Sequence, residues 1–509
     1  MVSFPEFGVH DRVSRPVRES RTAIAATTKP SWGWASVATI AVSAGIVTPL
    51  PADGPFLFGP PQVVSMPTPH SPTMVAVGDL DEDGDPDLVI AGRNSEGFAY
   101  LVPNEGGVLG TPVELVTGGQ TDWVEIVDLD GDGHLDLCFA VRSLRGRLSL
   151  LRGFGDGTFA EFEEIRLGRE PRALVVDDLD GDGDPDIAAM NHRLPIIEIL
   201  FNDGTAGFER GPDVVIAEAE VGHPYPQAID TVDIDRDGDR DLVVVATGAS
   251  RACVVLNRGD GTFEPDAGWR PPRVAGEIGG MTNLGIGDVD SDGDEDLVVP
   301  LILLDSPSHL GVFENGGASV GIDLQRERAF PATQLGYAYA VGLGDLDGDG
   351  DLDAVVGHAL PGPVMALDNR TVPVAEGGDG RVTFEPPQQI GSDTFFRAVL
   401  VTDLDGDCDQ DVLAVELISN SVWFLPNLTP QEDADCGEGF VPRTGRATPS
   451  RTSPSNFAID RNAIGDLNGD GAITGVDVAL FLEIVGGDVH ADSDPAPESP
   501  KSPEGRVRR

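Results

Sequence analysis

The sequence predicts an all-β fold: a seven-bladed β-propeller of four-stranded antiparallel blades, plus a small C-terminal EF-hand-like helical segment. Three observations carry this. A nine-residue acidic motif recurs seven times at nearly constant spacing. Short apolar runs of strand length flank each copy, and a lone strand precedes the first copy where the last unit lacks one.

The motif begins at Asp79 (DLDEDGDPD), Asp128 (DLDGDGHLD), Asp178 (DLDGDGDPD), Asp233 (DIDRDGDRD), Asp288 (DVDSDGDED), Asp345 (DLDGDGDLD) and Asp403 (DLDGDCDQD), at intervals of 49, 50, 55, 55, 57 and 58 residues. A repeat of this period signals a propeller or a solenoid. Within each unit an apolar run such as 173–176 leads into the acidic loop, and two more follow, such as 187–190 and 196–201. A glycine turn ending in Phe comes next, as at 155–159, 202–208 and 259–263, and a more polar run such as 162–167 closes the unit. Four short strands separated by turn signals make one antiparallel blade, and closing the blades into a ring removes exposed sheet edges.

Closure accounts for the leftover strand. The seventh unit ends its third strand at 422–425, and Pro426 opens a Pro- and Asp-rich stretch. The run 62–66 before the first unit is expected to supply the missing outer strand and lock the ring.

Composition narrows the function. There are 34 basic and 86 acidic residues, a formal charge of −52, which argues against a nucleic-acid partner because phosphate backbones require Lys and Arg. Acidity can also mean disorder, but 40% of residues are hydrophobic and fall in strand-like runs. Lysine occurs only at Lys29 and Lys501, outside the repeats, which excludes Schiff-base chemistry and a phosphate loop of the Gly-Lys-Ser/Thr type. The cysteines are Cys138, Cys253, Cys408 and Cys436, with no CxxC pair to hold zinc. Cys138 and Cys253 sit in apolar runs and read as buried thiols; Cys408 and Cys436 are candidates for a disulfide.

Residues 1–52 read as a basic leader and a signal peptide or anchor. Arg12, Arg15, Arg18, Arg21 and Lys29 precede an uncharged apolar run at 32–47, short for a bilayer span and suited to a signal core. Cleavage after Ala52 would place the mature chain outside the cytoplasm, secreted or on the cell surface.

Calcium wants six to eight oxygens in flexible geometry. Alternating carboxylates with a glycine bend provide this, and so many carboxylates within nine residues repel without a cation. The expected calcium residues are Asp79, Asp81, Asp83, Asp85 and Asp87; Asp128, Asp130, Asp132, His134 and Asp136; Asp178, Asp180, Asp182, Asp184 and Asp186; Asp233, Asp235, Asp237, Asp239 and Asp241; Asp288, Asp290, Asp292, Asp294 and Asp296; Asp345, Asp347, Asp349, Asp351 and Asp353; and Asp403, Asp405, Asp407, Asp409 and Asp411. The seventh residue of each loop, including His134, offers its backbone carbonyl. In the last loop Cys408 replaces the bend glycine, and a non-glycine left-handed residue costs about 1–2 kcal/mol, so that site is expected to be the weakest.

Over residues 56–428 this pattern resembles the FG-GAP/VCBS repeat family, which includes the propeller of integrin α chains. The resemblance implies a calcium-bearing propeller used in adhesion, carbohydrate binding or protein binding, and specifies no single ligand.

A linker rich in Pro, Thr, Ser and Arg is expected at 429–458, then an EF-hand-like segment at 459–487 and a disordered tail at 488–509. Asp466, Asn468, Asp470, the Ala472 carbonyl, Thr474 and Asp477 follow the twelve-residue calcium-loop order with Gly471 at the bend, and an apolar helix-like run follows. This resembles one half of a dockerin, but the second loop of a full dockerin is missing; the leading reading is a calcium-stabilised helix in a surface-docking tail, with docking to a cohesin-like partner as the alternative.

In propellers of this kind the acidic loops share one face, and ligands meet the opposite one. Residues assigned to that ligand face are Trp123, Arg172, His223, Tyr225, Tyr337, Tyr339 and Arg397, within a wider set including Asp122, Asn283, Arg93 and Arg142. Arg and Tyr are common binding anchors, and Arg suits anionic ligands. The leading reading is a binding or adhesion module for a carbohydrate or an extracellular protein. The alternative is a polysaccharide lyase using Tyr337, Tyr339, His223 and Arg397; a scaffold without a ligand is a third.

Overall fold

The computed structural model describes residues 55–430, apart from short internal stretches of which 217–225, 266–277 and 316–326 are the longest. Residues 1–52, Cys436 and the segment containing Asp466, Asn468, Asp470, Ala472, Thr474 and Asp477 lie outside the described residues, as do His223 and Tyr225.

Seven antiparallel sheets of four or five strands make the blades. Their inner strands are Pro72–Gly78, Thr121–Val127, Pro171–Asp177, Pro226–Val232, Ile278–Met281 continued by Gly285–Gly287, Tyr337–Gly344 and Phe396–Thr402. The second strands, such as Asp87–Gly92, Asp136–Val141 and Asp186–Asn191, are buried along their whole length, because neighbouring blades cover both faces. This explains their unbroken apolar runs where a sheet with one wet face would alternate. The outer strands Val113–Val116 and Glu163–Arg166 are largely exposed and carry the polar residues.

The seventh blade is completed by Gln62–Ser65, which pairs antiparallel with Ser421–Leu425 in the register Gln62 to Phe424 through Ser65 to Ser421. Further contacts fasten this segment. Leu57 N–H donates to Thr429 Oγ1 at 2.9 Å, and the Gln388 side chain bonds both backbone groups of Phe56.

A second set of contacts binds blade to blade. In six blades an Asn at or just past the end of the third strand donates its side-chain amide to a backbone carbonyl of the preceding blade. The pairs are Asn104 to Leu404, Asn202 to Leu129, Asn257 to Leu179, Asn315 to Ile234, Asn369 to Val289 and Asn427 to Leu346, at 2.8–3.0 Å. Each acceptor is the second residue of an acidic motif, whose apolar side chain is itself buried. In the second blade Gly153 stands at this position, and Gly157 N–H donates to Leu80 O at 2.9 Å instead.

Every inner strand is irregular at one place. The register against the second strand slips between Pro72 and Met74, Thr121 and Trp123, Pro171 and Ala173, Pro226 and Ala228, Ile278 and Gly280, Ala338 and Ala340, and Phe396 and Ala398. The extra residues are Thr73, Asp122, Arg172, Gln227, Gly279, Tyr339 and Arg397. Each lies at the start of its strand, the end remote from the acidic loop. A bulge re-aims a side chain out of the alternating pattern.

Candidate functional site

The acidic loops form the first candidate site. Their opening carboxylate folds the loop over itself: Asp178 accepts from Gly181 N–H at 2.8 Å and from Gly183 N–H at 3.0 Å. The same pair of bonds recurs at Asp128, Asp345 and Asp403. The closing Asp of each motif is a buried strap. Asp186 takes Leu179 N–H on one oxygen and Asn202 N–H on the other.

Two positions per loop have left-handed backbone. The bend residue is glycine in six loops, and Cys408 adopts φ 76° in the seventh. The fourth loop residue is also left-handed, and there Glu82, Arg236 and Ser291 take φ 59°, 61° and 57° without glycine's freedom.

The donor set fits a hard dication. Carboxylate oxygens of Asp79, Asp81 and Asp83 lie within 4.8 Å of one another, as do those of Asp128, Asp130 and Asp136, of Asp178, Asp180 and Asp186, of Asp233, Asp235 and Asp241, and of Asp288, Asp290 and Asp296. Several buried carboxylate oxygens have no hydrogen-bond partner, among them Asp81 Oδ1, Asp130 Oδ1, Asp233 Oδ1 and Asp405 Oδ1. An orphaned carboxylate oxygen beside other carboxylates is what a cation such as calcium satisfies.

The metal-free electrostatics point the same way. Burial, opposed by the backbone amides, raises Asp136 to about 6, Asp87, Asp186, Asp241 and Asp411 to about 7, and Asp296 and Asp353 to about 8. Basic side chains lean on some loops: Arg152 on Asp130 at 2.6 Å, Arg370 on Asp349 at 2.7 Å, and Arg236 on Asp294. His134 joins two loops, its Nδ1 lying 2.5 Å from Glu82 Oε1.

The opposite end of the ring holds the second candidate site, built on the bulges. Arg172 lies 3.6 Å from Asp122 and 3.3 Å from the Gln227 side-chain oxygen, so bulge residues of blades two, three and four touch in sequence. Arg93, just past a second strand, donates to Asp122 at 2.6 Å, and Arg142 lies 3.6 Å from Glu170. Arg397 of blade seven and Tyr339 of blade six are fully buried and within electrostatic reach of Arg93 and Arg172. Burial alone would raise Asp122, but Arg93, Arg172 and Arg142 hold it well below the usual carboxylate range. Burial pushes Arg172 down to about 10 despite Asp122, and drives Arg397 well below its ordinary value with Arg93 adding to the effect.

Of the residues assigned to the ligand face, Arg172, Tyr339 and Arg397 gather here. Trp123 does not join them. The bulge at Asp122 turns its neighbour into the core, where the Trp123 indole N–H donates to Glu125 at 2.9 Å. Tyr337 is half-buried at the edge of blade six. Asn283 is buried and accepts from Val341 N–H at 3.1 Å, a link between blades five and six. Cys408 is disulfide-bonded, whereas Cys138 and Cys253 are buried free thiols.

The family described as "FG-GAP-like repeat" matches at residues 79–139, 128–189, 178–244 and 233–299, each match running from one acidic motif into the next. No curated protein matches the chain. Solved structures similar to it include BBS1N in complex with ARL6DN, at 13% identity and TM-score 0.49, covering 74% of this chain and 98% of that one. An Agrocybe aegerita lectin that recognises non-reducing terminal N-acetylglucosamine aligns at 17% identity and TM-score 0.41, covering 63% and 80%. Rhamnogalacturonan lyase YesW aligns at 15% identity and TM-score 0.41, covering 75% and 77%.

Proposed function

We infer that this chain, which carries FG-GAP-like repeats on a seven-bladed propeller, is a calcium-braced binding module. Its ligand, a carbohydrate or an extracellular protein, meets the end of the ring opposite the acidic loops. The observation that carries this is the gathering of Asp122, Arg172, Gln227, Tyr339 and Arg397 from separate blades at one end, each aimed by a bulge. The stability of a fold does not require polar side chains, three of them charged, at five such positions, whereas recognition does.

The calcium loops are the structural half of this reading. Their carboxylates are engaged by the loop backbone, as expected of ions that brace a turn. The apolar run at 32–47 favours work outside the cytoplasm, and the loop beginning at Asp466 favours a calcium-stabilised helix in a surface-docking tail. Among the described residues no helix is long and apolar enough to cross a membrane.

A lyase at the same end would need a base. Tyr339 is the fully buried phenol there, and burial raises its pKa, which disfavours it as a proton acceptor; the half-buried Tyr337 opens the same strand.

The test is a glycan array probed with the calcium-loaded chain, run beside an ultraviolet assay for unsaturated sugar products. Retention of a glycan class without new absorbance supports the module. Absorbance that grows with time replaces it with the lyase, and retention of no glycan removes the carbohydrate half.

A further inference from the structure

The sixth acidic loop differs from the others in what meets its carboxylates. Asn369, the residue that ties blade six to blade five, donates its N–H to the closing Asp353 at 2.8 Å. Arg370, the next residue, lays its guanidinium on the same loop, donating to Asp349 at 2.7 Å and to Asp347 at 3.2 Å. Asp368, the residue before, holds that guanidinium at 2.6 Å and is itself only 4% exposed. The Arg370 backbone is fixed as well, its N–H donating to Thr383 O at 2.8 Å.

Both carboxylate oxygens are thereby engaged at the third and fifth loop positions. Asp347 accepts Asp349 N–H on Oδ1 and the guanidinium on Oδ2. Asp349 accepts Asp351 N–H on Oδ1 and the guanidinium on Oδ2. At the third position of loops one, two and seven, by contrast, Asp81, Asp130 and Asp405 each keep a buried oxygen with no hydrogen-bond partner. Arg152 does not alter this in loop two, because it takes only Oδ2 of Asp130. Blade four also has an arginine after its asparagine, but Arg258 pairs with Glu264. Leu256 stands there in the place of Asp368.

We propose that Arg370 is an internal cation of the sixth loop: it holds Asp347 and Asp349 in their folded arrangement when calcium is scarce, and calcium must displace it to enter. The proposal rests on the calcium-loop half of the reading above and concerns how one site is set. Clustered carboxylates repel without a cation, and a planar guanidinium meets them with paired donors. The Arg370 side chain is 42% exposed, so it can leave the loop for solvent without crossing the core. The sixth loop then fills after the third and fourth, whose carboxylates meet backbone amides and no basic side chain among the described residues. The seventh, with Cys408 at its bend, remains the last.

The test is equilibrium dialysis of the full chain across a range of free calcium, beside melting curves in chelator and in saturating calcium. Arg370→Gln is expected to move one calcium per chain to about tenfold lower free calcium, because three partly exposed ion pairs no longer have to be broken. It is expected to melt below wild type in chelator and close to wild type in saturating calcium, where the ion has already displaced Arg370. Arg370→Lys, which keeps the charge and loses the fork, is expected to lie between the two in both readouts. An unchanged dialysis curve, with equal falls in melting temperature in chelator and in calcium, would make Arg370 a plain structural ion pair and overturn the proposal while the calcium loops stand. Binding of no calcium by wild type or either variant would overturn the calcium reading, and the proposal with it. A crystal structure of calcium-loaded wild type serves if the variants do not fold. An ion in loop six with Arg370 off Asp347 and Asp349 supports the proposal, and an ion there with Arg370 still on both overturns it.

Discussion

The Asn104 side-chain amide donates to the Leu404 carbonyl at 2.8 Å although 300 residues separate them. This bond ties blade one to blade seven with the same contact that ties the other neighbours. Asn104 also donates to Pro86 O at 3.0 Å within its own blade, so both amide hydrogens are used. Asn257 bonds Leu179 O and Arg240 O in the same way. Asn257→Ala is therefore expected to orphan one buried and one half-buried carbonyl and cost about 1–3 kcal/mol, read as a lower melting temperature in calcium. The second blade does not accept the same device. A Cβ at Gly153 would lie 2.1 Å from Leu135 O, so Gly153→Asn is expected to lower the melting temperature as well.

Protons and calcium should compete for the acidic loops. Burial holds the closing carboxylates, such as Asp353 at about 8 and Asp241 at about 7, above the ordinary aspartate value. Raised folded-state values favour the neutral form. Without metal, their contribution to stability is full below about pH 4 and is lost as pH rises through about 7–8. In chelator, the melting temperature should fall between pH 5 and pH 8.5. In saturating calcium it should hold or rise over the same window, because the bound ion stabilises the charged form. Equal slopes in the two conditions would mean that the loops do not bind the ion.

Asp122 is the counter-charge for a buried arginine cluster. Asp122→Asn keeps the shape and removes the charge facing Arg93 and Arg172. The expected loss is about 3–5 kcal/mol, the usual result of stranding a buried charge, seen as a large fall in melting temperature in calcium. Arg166, which is highly exposed and pairs with Glu164, supplies the control. Arg166→Gln should change stability by less than about 1 kcal/mol.

The seventh acidic loop should bind calcium most weakly. Cys408 sits at φ 76° where the other six loops have glycine. Equilibrium dialysis at limiting free calcium is expected to leave one loop less filled, and Cys408→Gly to fill it. Cys436→Ser, which keeps Cys408 in the loop, should leave that loop weak; a gain equal to that of Cys408→Gly would assign the weakness to the cross-link.

The seven blades and the strand that closes them were legible because their signals repeat: an Asp motif, apolar runs and a spare strand at 62–66. The asparagine latch was equally present, at a nearly fixed distance after each closing Asp in six units, but a single polar residue past a strand gives no reason by itself to stand out. The left-handed fourth loop position was hidden because Glu82, Arg236 and Ser291 occupy it where glycine would have advertised it. The bulges were least legible. Thr73, Asp122, Arg172, Gln227, Gly279, Tyr339 and Arg397 share no chemistry, and strict alternation along the strand puts Trp123 and its neighbour on the wrong sides. A register slip decides which one turns into the core.

The outer strand Gln62–Ser65 has a consequence for how the chain reaches its fold. Its partner Ser421–Leu425 is made long after it, and Leu57 awaits Thr429 across 372 residues. During synthesis each blade can form as its own residues emerge, but the first strand stays unpaired until the last blade exists. Such distant pairings form late and slowly, and an unpaired strand is a template for another chain. The closing step is thus the interval in which one copy can lend its strand to the last blade of another, and two interlocked rings are the misfolded product to seek when the protein is refolded at high concentration.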